Sequence, residues 1–149
     1  MKAPDFSLQD QDGNVHSLAD YAGSWLVIYF YPKDDTPGCT QEACNFRDSY
    51  TILLDKNVKV LGISKDSVKS HEKFSKKFTL PFPLLSDPDH STLEAFGAWG
   101  EKKFMGKIFN GILRKTYIID PHGEIVKTYE TVKPAEHIQE VLQDIEQLQ

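Results

Sequence analysis

Cysteine is scarce in this chain, with only two among 149 residues, at positions 39 and 44. Two thiols so close together cannot form the disulfide framework of a small secreted fold, and in a reducing cytosol they point to catalysis rather than structure. Metal-ligand spacing is missing as well. There is no C-x-x-C and no H-x-x-x-H, and the histidines at 16, 71, 90, 122 and 137 are scattered, which argues against a zinc site. The sequence also lacks long apolar runs. Its longest, Trp25 to Tyr31, has seven residues, too short to span a bilayer, and the opening MKAPDF holds no apolar targeting segment. A cytoplasmic protein is therefore expected. Positive charge is in deficit, with 17 basic against 22 acidic residues and a net charge of −5, which argues against a general binder of nucleic acid or anionic membrane. No internal repeat, low-complexity tract or linker divides the chain, so one domain over residues 1–149 is expected.

The run WLVIYFY suits a buried central strand. It leads directly into PKDDTPGCTQEAC, Pro32 to Cys44, which holds both cysteines. There Thr36 suits a helix N-cap and Pro37 the first helical position. Apolar residues at 43, 46, 50, 53 and 54 recur at steps of three or four, which predicts a helix as far as Asp55 or Lys56 with one face buried. Cys39 then lies in the first turn, where free N–H groups and the positive end of the helix dipole favour a thiolate. The competing reading is a small buried hydrophobe, the usual fate of a free cysteine. Cys44, five residues on, would have its Cα about 8.6 Å from that of Cys39 on an intact helix. A disulfide tolerates about 7 Å. Bonding of the two sulfurs would thus require the first turns to unwind, unless Cys44 is simply a packed helix residue.

Taken in order, residues 3–8 and 15–18 flank the turn Asp12-Gly13-Asn14 as an N-terminal β-hairpin, and 19–24 form a short link. After the Cys39 helix come a strand over 58–64 and a helix from Asp66 or Ser67 to about Lys77, with Val68, His71, Phe74 and Phe78 along one side. A short strand begins at 83–85 and a short helix covers 91–96. Residues 97–111 show no regular period and read either as a packed structural loop or as a lid or docking surface beside the cysteines. Residues 114–120 and 124–130 form a hairpin across Pro121-His122-Gly123. Pro134 opens a last amphipathic helix. This alternation predicts an α/β domain with a mixed sheet.

Pro32, Thr36 and Cys39 fit P-x-x-x-T-x-x-C, and TPGCTQEACNFRD resembles the peroxiredoxins, specifically the bacterioferritin comigratory protein or peroxiredoxin Q group. APDFSLQDQDG, GISKDS, LLSDPD, GAWGEKK and GILRKTYIIDPHGEI extend the resemblance over nearly the whole chain. It implies a thioredoxin-like fold and a thiol peroxidase acting on hydrogen peroxide and organic hydroperoxides. Cys39 is then the peroxidatic residue and Cys44 the intrachain resolving residue. The implied reductant is thioredoxin or a similar dithiol, with no metal, flavin or haem, and the implied assembly is a monomer or weak homodimer. Arg114, in Gly111-Ile112-Leu113-Arg114, matches an arginine that folds back beside the sulfur, although its residues alone read as a surface strand position. Pro32 shields the sulfur from water, and Thr36 caps the helix or hydrogen-bonds the peroxide. Glu42 matches C-x-x-E and either orients the arginines or stays solvated, while Arg47 and Asp48 read as a structural ion pair. Lys33, Asp34 and Asp35 read as a solvated loop, and most histidines as surface or turn residues. Outside the resemblance, a thioredoxin-type oxidoreductase is disfavoured by the missing C-x-x-C. A non-enzymatic redox sensor that unwinds on oxidation remains open.

Overall fold

The computed structural model describes residues 1–149. Strands β1 (Ser7–Gln9) and β2 (Val15–Ser17) form the expected N-terminal hairpin. The link after it is more ordered than expected. Leu18–Tyr21 makes a single 3₁₀ turn, closed where Asp20 accepts a bond from Ser17 N at 2.8 Å.

Strand β3 (Trp25–Phe30) lies at the centre of the molecule. Its two faces feed two separate cores, which is why it reads as a continuous apolar run rather than as an alternation. Val27, Tyr29 and the following Tyr31 join a cluster with Phe46, Leu53, Phe74, Val141 and Ile145. Leu26, Ile28 and Phe30 join another with Phe6, Leu93, Phe96 and Tyr117. Each such side chain contributes roughly 1.5–3 kcal/mol on burial, so truncations along β3 weaken both cores.

Helix α1 (Pro37–Asp55) follows, then β4 (Val58–Ser64), α2 (Val68–Phe78), β5 (Leu84–Ser86) and α3 (Ser91–Ala95). Ser67 caps α2 by accepting from Ser70 N at 3.1 Å. β3 pairs in parallel with β4, and β4 with β5. At Gly62 of β4 an added Cβ would stand 2.9 Å from the Tyr29 ring and 3.0 Å from Leu84, so only glycine lets those side chains close over the strand.

Residues 97–111 form a hairpin, contrary to the aperiodic loop expected from sequence. β6 (Trp99–Phe104) and β7 (Lys107–Ile112) make a two-stranded antiparallel ribbon apart from the main sheet. Its turn is Met105-Gly106, both at positive φ (50° and 79°). The sequence does not announce this turn, because a methionine occupies a position that usually carries Asn, Asp or Gly.

β8 (Thr116–Ile119) returns antiparallel to β3 and pairs with β9 (Ile125–Tyr129), and α4 (His137–Leu148) closes the chain. Two boundaries move: α4 begins at His137, not Pro134, and Arg114 lies in the link between β7 and β8, not in a strand. The seven-stranded sheet has the order β2-β1-β5-β4-β3-β8-β9, mixed in direction and covered by helices, as the fold class required. No helix is long and apolar enough to cross a membrane.

Candidate active site

The site lies where β3 ends and α1 begins. Thr36 is extended (φ −108°, ψ 154°), Pro37 is the first helical residue, and Thr40 N donates to Thr36 O at 2.8 Å. Cys39 is thus the third residue of the helix, as its sequence setting required, and its side chain is buried. Thr36 holds the N-cap position, but its hydroxyl does not cap. It donates instead to the carbonyl of Lys33 at 2.8 Å, pinning the turn ahead of the helix.

Arg114 arrives from the far end of the sequence. Its Nη2 donates to Cys39 Sγ at 3.0 Å and its Nη1 to Glu42 Oε1 at 2.8 Å. One planar fork therefore spans two positions on the same helix face, three residues apart. Burial works against the Arg114 charge, but Glu42 and Cys39 together outweigh it and raise its pKa. Glu42 is fully buried, not solvated, and its Oε2 has no hydrogen-bond partner, nor has the buried Tyr29 hydroxyl. Burial pushes the Glu42 carboxyl up to about 7, with the Arg114 charge pulling the other way. Pro32 is half-buried in the turn leaving β3.

Cys44 is half-buried two turns into α1, and both cysteines are free thiols. Just beyond it the helix is tied down from two sides. Asn45 Nδ2 donates to the carbonyl of Pro134 at 3.1 Å, and Arg47 Nη1 to that of Phe78 at 2.7 Å. Arg47 also pairs with Asp48 at 2.9 Å, the ion pair its sequence position indicated.

The loop before the helix is more deeply built than a solvated stretch. Asp34 is buried and accepts bonds from Tyr31 (2.6 Å), Ser70 (2.8 Å) and His71 Nδ1 (2.7 Å). Its backbone N–H donates to Asp66 at 2.8 Å. His71 has both ring nitrogens facing acceptors, Asp34 on one side and the carbonyl of Leu85 at 3.0 Å on the other. The ligand atoms of Asp34, Asp66 and His71 lie within 4.8 Å of one another, yet each is engaged in hydrogen bonds that clamp this loop to α2 and β4. Two histidines are thus buried rather than at the surface or in turns: His137 is bonded through Nε2 to Thr116 at 2.8 Å, and its burial, aided by the Arg114 charge, lowers its pKa to about 4. The only sequence signal for His71 was its place on the apolar side of α2, and Asp34 gave none.

Residues 1–128 match the AhpC/TSA family. The chain is 45% identical to the peroxiredoxin Bcp of Bacillus subtilis (strain 168) over 147 residues, covering 99% of this chain and 94% of that protein. It is 47% identical to the peroxiredoxin Bcp of Escherichia coli (strain K12) over 140 residues, covering 94% and 90%. A solved structure of Xanthomonas campestris bacterioferritin comigratory protein, described for its alkyl peroxide reduction activity, superposes with a TM-score of 0.92 at 41% identity, over 96% of this chain and 91% of that one. Mycobacterium tuberculosis AhpC superposes at 0.84 with 25% identity, over 99% and 90%.

Proposed function

This chain belongs to the AhpC/TSA family as a peroxiredoxin of the Bcp or peroxiredoxin Q group, hence a thiol peroxidase, and we propose that Cys39 is its peroxidatic residue and Cys44 its intrachain resolving residue. The observation that carries the assignment is the Arg114 fork, which sets a permanent positive charge 3.0 Å from the sulfur of a first-turn cysteine. The Cys39 thiolate attacks the nearer oxygen of a peroxide along the O–O axis. A sulfur–oxygen bond forms, the O–O bond breaks, and the departing oxygen leaves as water or an alcohol after taking a proton. Arg114 stabilises the negative charge that passes from sulfur to the leaving oxygen. Thr36, whose hydroxyl proton is given to Lys33, meets the substrate as an acceptor and orients the O–H of the peroxide. Pro32 keeps water off the sulfur.

Cys44 then condenses with the sulfenic acid, forming the disulfide and releasing water. The first turns of α1 unwind to let the sulfurs meet, and the bonds of Asn45 and Arg47 to neighbouring elements supply the point where unwinding stops. A dithiol, thioredoxin by analogy with the family, returns two electrons by exchange. Hydrogen peroxide and organic hydroperoxides are the proposed substrates. The alkyl peroxide activity described for the Xanthomonas relative supports the second. A cytoplasmic location and a monomer or weak homodimer complete the reading, the latter to be checked by sedimentation.

Intact mass after one equivalent of hydrogen peroxide tests the roles. Wild type should lose two hydrogens, Cys44→Ser should gain one oxygen, and Cys39→Ser should lose rapid peroxide consumption. A doubled mass moves resolution between chains, and an unreactive Cys39 overturns the assignment.

A further inference from the structure

Large apolar side chains are exposed together at the far end of the β6–β7 ribbon: Phe104 is 67% exposed, Met105 86%, Ile108 62% and Phe109 46%. In the ribbon's register Lys102 stands opposite Phe109, Lys103 opposite Ile108, and Phe104 opposite Lys107. Because side chains alternate along a strand, Phe104 and Phe109 share one face with Lys102 and Lys107, while Ile108 shares the other with Lys103. Met105 sits at the turn between them. A flat protein surface laid on this ribbon covers one face and leaves the other in water. Covering both faces and the tip takes a medium that surrounds the end of the hairpin.

The charge on this end selects that medium. From Lys102 to Asn110 there are three lysines and no acidic residue, whereas the whole chain carries −5. The acidic body opposes contact with an anionic surface, but distance separates the two. Five residue steps lie between the ribbon's base at Trp99 and Ile112 and its last pair at Phe104 and Lys107, a rise of about 17 Å. That is about twice the Debye length of about 8 Å at physiological ionic strength, so the body's charge is largely screened at the tip.

We propose that the tip of the β6–β7 hairpin is an interfacial anchor for an anionic phospholipid bilayer. Phe104, Met105, Ile108 and Phe109 enter the boundary between headgroups and acyl chains, and Lys102, Lys103 and Lys107 lie among the phosphates. The attachment is peripheral and reversible, and it does not depend on any role for Cys39. Its use does rest on the peroxidase reading: β7 ends at Ile112, two residues before Arg114, so an anchored hairpin tethers the body that carries the thiol to a bilayer in which hydroperoxides form.

Flotation with vesicles of phosphatidylglycerol and phosphatidylcholine in equal parts, at about 150 mM salt, tests the anchor. Wild type should float with them, and at least tenfold less should float with phosphatidylcholine alone or at 0.5 M salt. Serine at positions 104, 105, 108 and 109 together, or glutamate at the three lysines, should each cut flotation at least tenfold, with hydrogen peroxide consumption and circular dichroism unchanged. Absence of flotation with the anionic vesicles, or flotation that neither variant alters, overturns the proposal. So does slowed reductant-driven turnover in the variants without vesicle binding, which would mark the hairpin as a protein-docking element. Wild type that floats yet reduces a phospholipid hydroperoxide in the vesicles no faster than the variants overturns the catalytic use and leaves the anchor. Loss of all peroxide consumption by wild type counts instead against the peroxidase reading.

Discussion

Arg114 is the residue on which the chemistry turns, because its two outer nitrogens serve Cys39 and Glu42 at once. Lysine keeps the charge but has no fork, so it can hold one of these partners at a time. Arg114→Lys should lower the second-order rate constant with hydrogen peroxide by about 10², the scale of losing one preorganised donor, as read by stopped-flow fluorescence. Glu42 has its own signature. The folded chain keeps the Glu42 proton up to about pH 7, whereas the unfolded chain releases it near its ordinary 4.5. The native state therefore binds more protons between these values, and the contribution of Glu42 to stability falls as pH rises through that window. Removing the carboxyl in Glu42→Gln should make stability increase more steeply with pH, or decrease less, by about 1.4 kcal/mol per unit between pH 5 and 6.5. Urea unfolding at several pH values measures this, and parallel curves for the two proteins would contradict it. Residue chemistry was only partly readable beforehand. Thr36 and Pro37 announce a helix start by their types and so place Cys39 in its first turn, whereas the burial of Asp34 depends on Ser70 and His71, which lie far along the chain.

Helix α1 carries two demands along its length. Its first turns hold Cys39, Glu42 and Ala43 in buried positions, and its later turns hold Phe46 and Leu53 in the same core. Joining Cys39 to Cys44 gives up the first set while keeping the second. A bridge closing so short a loop constrains the unfolded chain little. The oxidised protein should therefore melt below the reduced protein, the reverse of an ordinary structural disulfide, and calorimetry of the two forms with and without dithiol checks it. Equal or higher melting of the oxidised form would mean that the helix stays wound. At this scale the elements legible in the sequence are those with a helical period, α1 and α2, and the one marked by an unbroken apolar run, β3. It failed at the β6–β7 ribbon, where lysines and apolar residues share each face and the turn begins with Met105. No buried side imposes an alternation on that ribbon, so none could be seen.

At the scale of the whole molecule, the architecture puts β3 between β4 and β8, so the strand that delivers Cys39 is also the one beside which the Arg114 segment must dock. The order of elements and the mixed sheet followed from the alternating patterns of strand and helix, but the pairing of β8 with β3 had no local sign. Cys39 and Arg114 are 75 positions apart in sequence. During synthesis the thiol emerges long before its guanidinium. A chain that has not yet closed its sheet carries an ordinary thiol at position 39, with neither the fork nor the fixed helix start. Fast reaction with peroxide is thus acquired only once the Arg114 segment docks, and a growing or misfolded chain is spared the oxidation that the finished protein invites.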